Sequence, residues 1–234
     1  MAASCCKSPP SKNLKPVVEH NFDTVASEVI YRGKIVALRV DEVRMPGGNT
    51  AQREIVEHFG AVGVVAIDSG DNIILVYQYR HPLGRRLWEL PAGLLDVCGE
   101  PPHLTAAREL REEAGLEAKQ WRVLVDLDLA PGCSDESVRV YLATGLTRVQ
   151  RPESHDEEAD MTLRWFALAD AVRMVFAGEI INSVAVSGIL AARAWTGTGA
   201  GTGAGAGAGG QPLRPVTADW QDKPSRFAAR RGWR

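Results

Sequence analysis

The sequence is short of the features that mark secreted, metal-clustered or membrane-spanning chains. Its four cysteines, Cys5, Cys6, Cys98 and Cys133, include no Cys-x-x-Cys pair, and two of them are adjacent. That spacing excludes a disulfide framework and a zinc cluster, and a reducing cytoplasm is expected. The five histidines (20, 58, 81, 103 and 155) have no metal-ligand spacing among themselves. The opening stretch MAASCCKSPPSKNLKP has no apolar core and so reads as no secretory leader. The longest uncharged apolar run, 180–192, holds 13 residues, against the roughly 20 that a spanning helix needs, so no membrane partner is expected. Excess charge is missing too. Lys and Arg total 27 against 29 for Asp and Glu, a formal net charge of −2, which argues against a nucleic-acid partner. Positive charge gathers only at QDKPSRFAARRGWR, where Lys223, Arg226, Arg230, Arg231 and Arg234 face Asp222 alone.

What the sequence does have is a set of strand-like runs punctuated by turns. Residues 1–18, rich in Ser, Pro and Lys, read as a disordered extension. The runs ASEVIYRG, KIVALRVDEVRM and REIVEHF then predict an N-terminal antiparallel β subdomain over 19–60. Pro46-Gly47-Gly48-Asn49 closes its second hairpin. A larger domain follows over 61–195. In it AVGVVAID and IILVYQYR are expected to pair across Ser69-Gly70-Asp71-Asn72, and RLWELPAG to form a strand ending in a loop at Pro91-Ala92-Gly93. A helix should start after Pro101-Pro102 and stop at Gly115, with Leu104, Ala107, Leu110 and Ala114 as its apolar stripe. Strands at WRVLVDLDLA and SVRVYLATGL, the acidic loop RPESHDEEAD, a strand MTLRWFAL and two helices (about 168–178 and 182–195) complete an α+β pattern. The segment 196–210 holds eight glycines; it reads as a flexible linker spanning about 20 Å. The basic tail, 211–234, carries two tryptophans and a phenylalanine and is expected to dock on the body.

The chemistry concentrates in RELREEAGL, residues 108–116. Glu109, Glu112 and Glu113 stand at i, i+3 and i+4, so they share one helix face and repel. One explanation is a solvated surface laced with ion pairs to Arg108 and Arg111; the other is a cage of hard oxygen ligands for Mg²⁺. Upstream, the chain reads Gly93, six residues, Glu100, seven residues, then Arg108-Glu109-Leu110-Arg111-Glu112-Glu113-Ala114-Gly115-Leu116. This resembles the signature of the Nudix hydrolases, which has five residues rather than six between its first Gly and first Glu. The extra residue falls in the loop near Val97-Cys98. The stretches RLWELPAGLLD and APGCSDESVRVYLATG resemble the ADP-sugar pyrophosphatases within that family, bacterial ADP-ribose pyrophosphatases above all. Pro131 also lies fifteen residues past the signature's last residue, Leu116, as in that subgroup.

The resemblance decides between the two explanations in favour of the cage. It implies a Nudix α/β/α sandwich with a mixed sheet, plus the N-terminal antiparallel sheet exchanged across a homodimer whose two copies build the adenosine pocket. The backbone carbonyl of Ala92 and the carboxylates of Glu109, Glu112 and Glu113 would hold two or three Mg²⁺ ions, or Mn²⁺. Glu158 of the acidic loop would join them and activate the attacking water, with Glu157 the alternative and His155 an ordinary exposed histidine. Arg108 would pair with Glu100 and orient the other acids. Arg53, Glu54 and Arg80 would contact substrate, and Leu94, Pro131, Gly132 and Glu136 would line its ribose and phosphates; Glu136 could instead pair with Arg139. The implied reaction is hydrolysis of ADP-ribose to AMP and ribose 5-phosphate. Other nucleotide sugars, oxidised guanine nucleotides, and a module that binds ADP-ribose without cleaving it stay open as alternatives.

Overall fold

The computed structural model describes residues 20–152, 160–196 and 212–230. The extension over 1–18, the loop residues His155, Asp156, Glu157 and Glu158, most of the glycine-rich segment, and Arg231 and Arg234 lie outside these residues. No helix among the described residues is long and apolar enough to cross a membrane.

Three antiparallel strands open the fold: β1 (Thr24–Arg32), β2 (Val36–Arg44) and β3 (Thr50–His58), in that order across the sheet. The turn predicted at 46–49 forms, closed by the Met45 amide on the Asn49 carbonyl at 2.8 Å. This subdomain leaves Phe22, Val25, Ile30, Tyr31 and Ile35 exposed.

The centre is a four-stranded mixed sheet in the order β7-β4-β9-β8. It comprises β4 (Ala61–Ala66), β7 (Ala92–Leu94), β8 (Leu116–Asp128) and β9 (Ser137–Arg148), with β4 and β9 parallel. Helix α1 (Pro102–Ala114) packs on one face, and α2 (Leu168–Phe176) and α3 (Ser183–Thr196) belong to the other. Successive residues of a strand point to opposite faces, so a strand covered on both sides must be apolar throughout. The run AVGVVA obeys this: Val62, Val64 and Ala66 enter the core with Leu110 of α1, and Val65 enters the core with Ile189 of α3. A second, antiparallel sheet, β10-β5-β6, holds β5 (Asn72–Arg80), β6 (Arg85–Glu89) and β10 (Thr162–Ala167).

Two expectations need correction. AVGVVAID and IILVYQYR do turn at 69–72, where the Asp68 carboxylate accepts from the amides of Gly70 and Asn72 at 2.8 and 2.9 Å. The strands then part, with β4 and β5 in different sheets and only Ile67 and Ile73 bridged. Both edges of β4 are already taken, by β7 and β9, which leaves no ladder for β5. RLWELPAG is likewise two strands and not one. Pro91, lacking an N–H, ends the pairing of β6, and Ala92–Leu94 then joins β4 as β7.

The tail docks, as expected. The Val123 amide donates to the Arg214 carbonyl at 3.0 Å, and Arg214 pairs with Asp126 at 2.7 Å. Arg139, 2% exposed, binds Asp126 and donates to the carbonyls of Ala218 and Asp219, each at 2.7 Å. Trp220 stacks on its guanidinium at 4.8 Å. Farther on, α4 (Arg226–Arg230) inserts Phe227 against Phe59, and Arg230 grips Glu57 at 2.6 and 2.9 Å.

Burial alone would raise the pKa of Glu57 and of Asp126. The hydrogen bonds and charge of Arg230 and Arg39 at the first, and of Arg139 and Arg214 at the second, outweigh it and hold both below the carboxylate range. The stability these acids contribute is therefore complete above their ordinary values of 4.5 and 3.8. It is lost as the pH falls through their lower folded values. Acid titration followed by circular dichroism should show a Glu57→Gln variant with a shallower loss of stability below pH 4.5 than the parent.

Candidate active site

Helix α1 begins with Pro101 extended at its cap and Pro102 in its first turn, where a missing N–H costs nothing. It ends as predicted at Gly115, whose left-handed backbone turns its amide back to Arg111. The buried face differs from the expected stripe. Leu104 is 50% exposed, while Thr105, Ala106, Glu109, Leu110 and Glu113 are covered. The covered face thus includes two of the three acids, with Glu109 only 9% and Glu113 only 5% exposed. Glu109 and Glu113 thus form part of the packed surface, pressed onto β7.

That contact gives Gly93 its reason. A Cβ built there would overlap Cγ, Cδ and Oε1 of Glu109, so no other residue lets the acid lie across the strand. One residue earlier, the Ala92 amide donates to Glu113 Oε2 at 2.9 Å. Arg108 sits at the centre of the remaining acids. It donates to Glu109 at 2.7 Å, to Glu112 at 2.9 Å and to Glu100 at 3.2 and 3.3 Å, so its expected pairing with Glu100 is present. Thr105 Oγ1 adds a 2.8 Å hydrogen bond to Glu100. Burial works against charge at both Arg108 and Glu100. Their mutual hydrogen bonds, with Thr105 helping Glu100 and the other glutamates helping Arg108, overcome it, so the arginine is held firmly protonated and the acid below its usual range.

One guanidinium is thus shared by three carboxylates, beside a fourth that is buried. A divalent cation suits such a set of hard oxygens with too little positive charge. The carboxylates do not stand as a finished cage: among the described residues, no group of three His, Cys, Asp or Glu side chains is arranged to hold a metal. Glu109 and Glu112 lean on Arg108, and Glu113 on a backbone amide, in place of converging. The ion pairs of the first explanation are present, on a face that is partly packed against β7.

Strand β7 joins this acidic face to a cleft of about 540 Å³. Ala92, Gly93 and Leu94 line it, with Arg80 and Glu89 on one side, His58 and Glu136 on another, and Asn182–Val184 closing the end. The cleft thus brings together Arg80, Leu94 and Glu136, expected to contact substrate, with Ala92, expected to bind the metal. Arg80 is fixed by a forked contact with Glu89, at 2.6 Å for its shortest arm, and Gln78 donates to the same acid at 3.2 Å. Glu136 does not pair with Arg139, which Asp126 occupies; it lies 3.8 Å from His58 Nδ1. That nitrogen also accepts from the Gly60 amide at 3.1 Å. At 3.8 Å the approach to Glu136 is too long for a hydrogen bond.

Four predicted contacts stand elsewhere. Arg53 and Glu54 are exposed on β3, where Arg53 turns to the Gln52 carbonyl and Met45 sulfur. Pro131 and Gly132 are exposed in the β8–β9 connection, and Pro131 lines a separate groove against the tail. Conversely, sequence reasoning missed Glu89 and His58. Glu89 had a signal, a lone acid inside the apolar run LWELP; His58 had none beyond its place at the end of a strand.

Comparison with known proteins agrees with this geometry. Residues 50–183 match the NUDIX domain, and residues 22–56 match the nucleoside diphosphate sugar hydrolase N-terminal domain. The chain is 62% identical to the ADP-ribose pyrophosphatase of Mycobacterium tuberculosis over 93% of its own length and 100% of that protein. It is 39% identical to the methanol dehydrogenase activator of Bacillus methanolicus, over 71% of this chain and 89% of that one. A solved ADP compounds hydrolase shares its fold with a TM-score of 0.67 at 18% identity, covering 77% of this chain and 97% of the other.

Proposed function

The chain belongs to the Nudix family, and from that premise we propose that it hydrolyses ADP-ribose to AMP and ribose 5-phosphate with Mg²⁺. The observation that carries the proposal is the buried Glu109–Glu113 face lying directly beneath β7, the strand that lines the cleft. Similarity along the whole length of a mycobacterial ADP-ribose pyrophosphatase supports the substrate.

Glu109, Glu112, Glu113 and the Ala92 carbonyl would hold the cation, joined by Glu158 from the acidic loop. When bound, it supplies neutralising charge at the diphosphate and acidifies the attacking water. The chain's own residues do the rest. Arg80, pre-set by Glu89, offers the diphosphate a fixed guanidinium whose orientation costs no ordering on binding. Glu136 accepts hydrogen bonds from the vicinal hydroxyls of a ribose, with Leu94 beneath the sugar. Arg108 holds Glu109 and Glu112 in register and keeps Glu100 ionised. Glu158 takes the proton from the attacking water, a role for which Glu157 is the alternative.

Arg53 and Glu54 fit this scheme through a second copy. Their subdomain exposes Phe22, Val25, Ile30, Tyr31 and Ile35, apolar side chains available to a homodimer contact that would carry both residues, and the Pro131–Gly132 loop, toward the partner's cleft. The cysteine pattern is compatible with a cytoplasmic enzyme.

The purified chain with ADP-ribose and Mg²⁺ should release AMP, read by chromatography, and a chelator should abolish the release. A substrate panel in which other nucleotide sugars or oxidised guanine nucleotides react faster would overturn the substrate assignment.

A further inference from the structure

The tail does more than cover the body. Its last described turn meets the short segment that carries His58 into the cleft. Glu57, 0% exposed, sits between two guanidinia: Arg39 of β2 at 2.7 Å and Arg230 of α4 at 2.6 Å. Next along the chain, the His58 amide donates to Asp135 at 2.8 Å, which ties β3 to the connection bearing Glu136. Phe59 stacks edge-on against Phe227, ring centres 4.6 Å apart. Gly60 has a positive φ of 78°, and a Cβ there would come within 2.9 Å of Pro224. The Gly60 carbonyl accepts from Leu95, just past β7. Three of the four residues 57–60, namely Glu57, Phe59 and Gly60 flanking His58, therefore each meet the tail.

Charge sharpens the point. Arg39 also pairs with Asp41, one of whose oxygens is buried with no hydrogen-bond partner. Burial, with the nearby Glu57 charge, pushes Asp135 up from its ordinary value, against the pull of the His58 amide, Arg39 and His58. Three acids thus crowd Arg39, and Arg230 is the second arginine paired in the cluster. Losing it would leave Glu57 buried with one shared partner.

We propose that Arg230, with Phe227, is a positioning residue for the substrate cleft. Through Glu57 and Phe59 it fixes the wall formed by His58 and Glu136, and so sets the affinity for the sugar end of the substrate. This rests on the reading of the cleft as the ADP-ribose site. A wall that shifts should weaken binding more than it slows the bond-breaking step, because the acids of α1 lie on the other side of β7.

Two measurements on the full chain test this. The first is steady-state AMP release from ADP-ribose for Arg230→Gln, Phe227→Ala and Arg230→Lys. Arg230→Gln should raise KM about tenfold with kcat within about twofold of the parent, and Arg230→Lys, which keeps the charge, should recover most of the loss. The second is amide hydrogen exchange, which needs no turnover. Residues 56–60 and 133–138 should exchange faster in Arg230→Gln and Phe227→Ala while α1 keeps its protection. Unchanged KM in a folded Arg230→Gln variant overturns the proposal. So does faster exchange spread evenly over α1 as well, which would mark general destabilisation. If the parent chain released no AMP, the functional reading would fail by itself, and exchange would still decide whether the tail orders this wall.

Discussion

Glu113→Gln is expected to lower kcat for ADP-ribose by about a thousand-fold or more while leaving the fold intact. The amide side chain keeps the volume of the buried acid and retains an oxygen to accept from Ala92, so packing and the 2.9 Å contact survive. What disappears is a negative charge at a place where the neighbouring glutamates already outnumber their arginine. A charge aimed at the reacting centre in a dry site is worth far more than one at the surface, and single-group losses of 10²–10³ are ordinary there. AMP release and a thermal melt on the same sample separate the two effects. Near-normal turnover with added Mg²⁺ would refute the assignment of this face as the metal site.

Gly93→Ala should be nearly as damaging from a single methyl group. That methyl would occupy the space of the Glu109 side chain. Either Glu109 leaves β7 or the strand leaves β4, whose partner register pairs Val62 with Gly93. We expect about a hundred-fold loss of kcat/KM, since a misplacement of about 1 Å at a positioned group costs that much. A stability loss of about 2 kcal/mol, the usual cost of overpacking, should accompany it in denaturant titration. A variant with parental stability and turnover would show that Glu109 need not touch β7.

The contrast between these residues explains what the sequence made legible. The spacing of Glu109, Glu112 and Glu113, the proline start and glycine stop of α1, and the hairpin at 46–49 all follow from local rules, and all are found. Leu104 misled because helix periodicity assumes that the buried stripe is apolar. Here the covered face was chosen by contact with β7 and includes two acids. The parting of β4 and β5 depends on which distant strands compete for β4's edges, and β9, its parallel partner, comes some seventy residues later. His58 and Glu136 come together through an amide–carboxylate link between residues 77 apart in sequence, Asp135 and His58 itself. Nothing local announces such a meeting. Glu158, whose part in the chemistry rests on resemblance, falls outside the described residues.

The link between Glu57 and Arg230 spans 173 residues. At common rates of synthesis, a ribosome adds that length in roughly 10 to 35 s. For that interval a nascent chain holds the N-terminal strands with Glu57 offered only the arginine on its own sheet. The fold is therefore sealed by a piece made long after the strands it closes, and a polypeptide stalled before α4 would emerge with this carboxylate still seeking its second counter-charge.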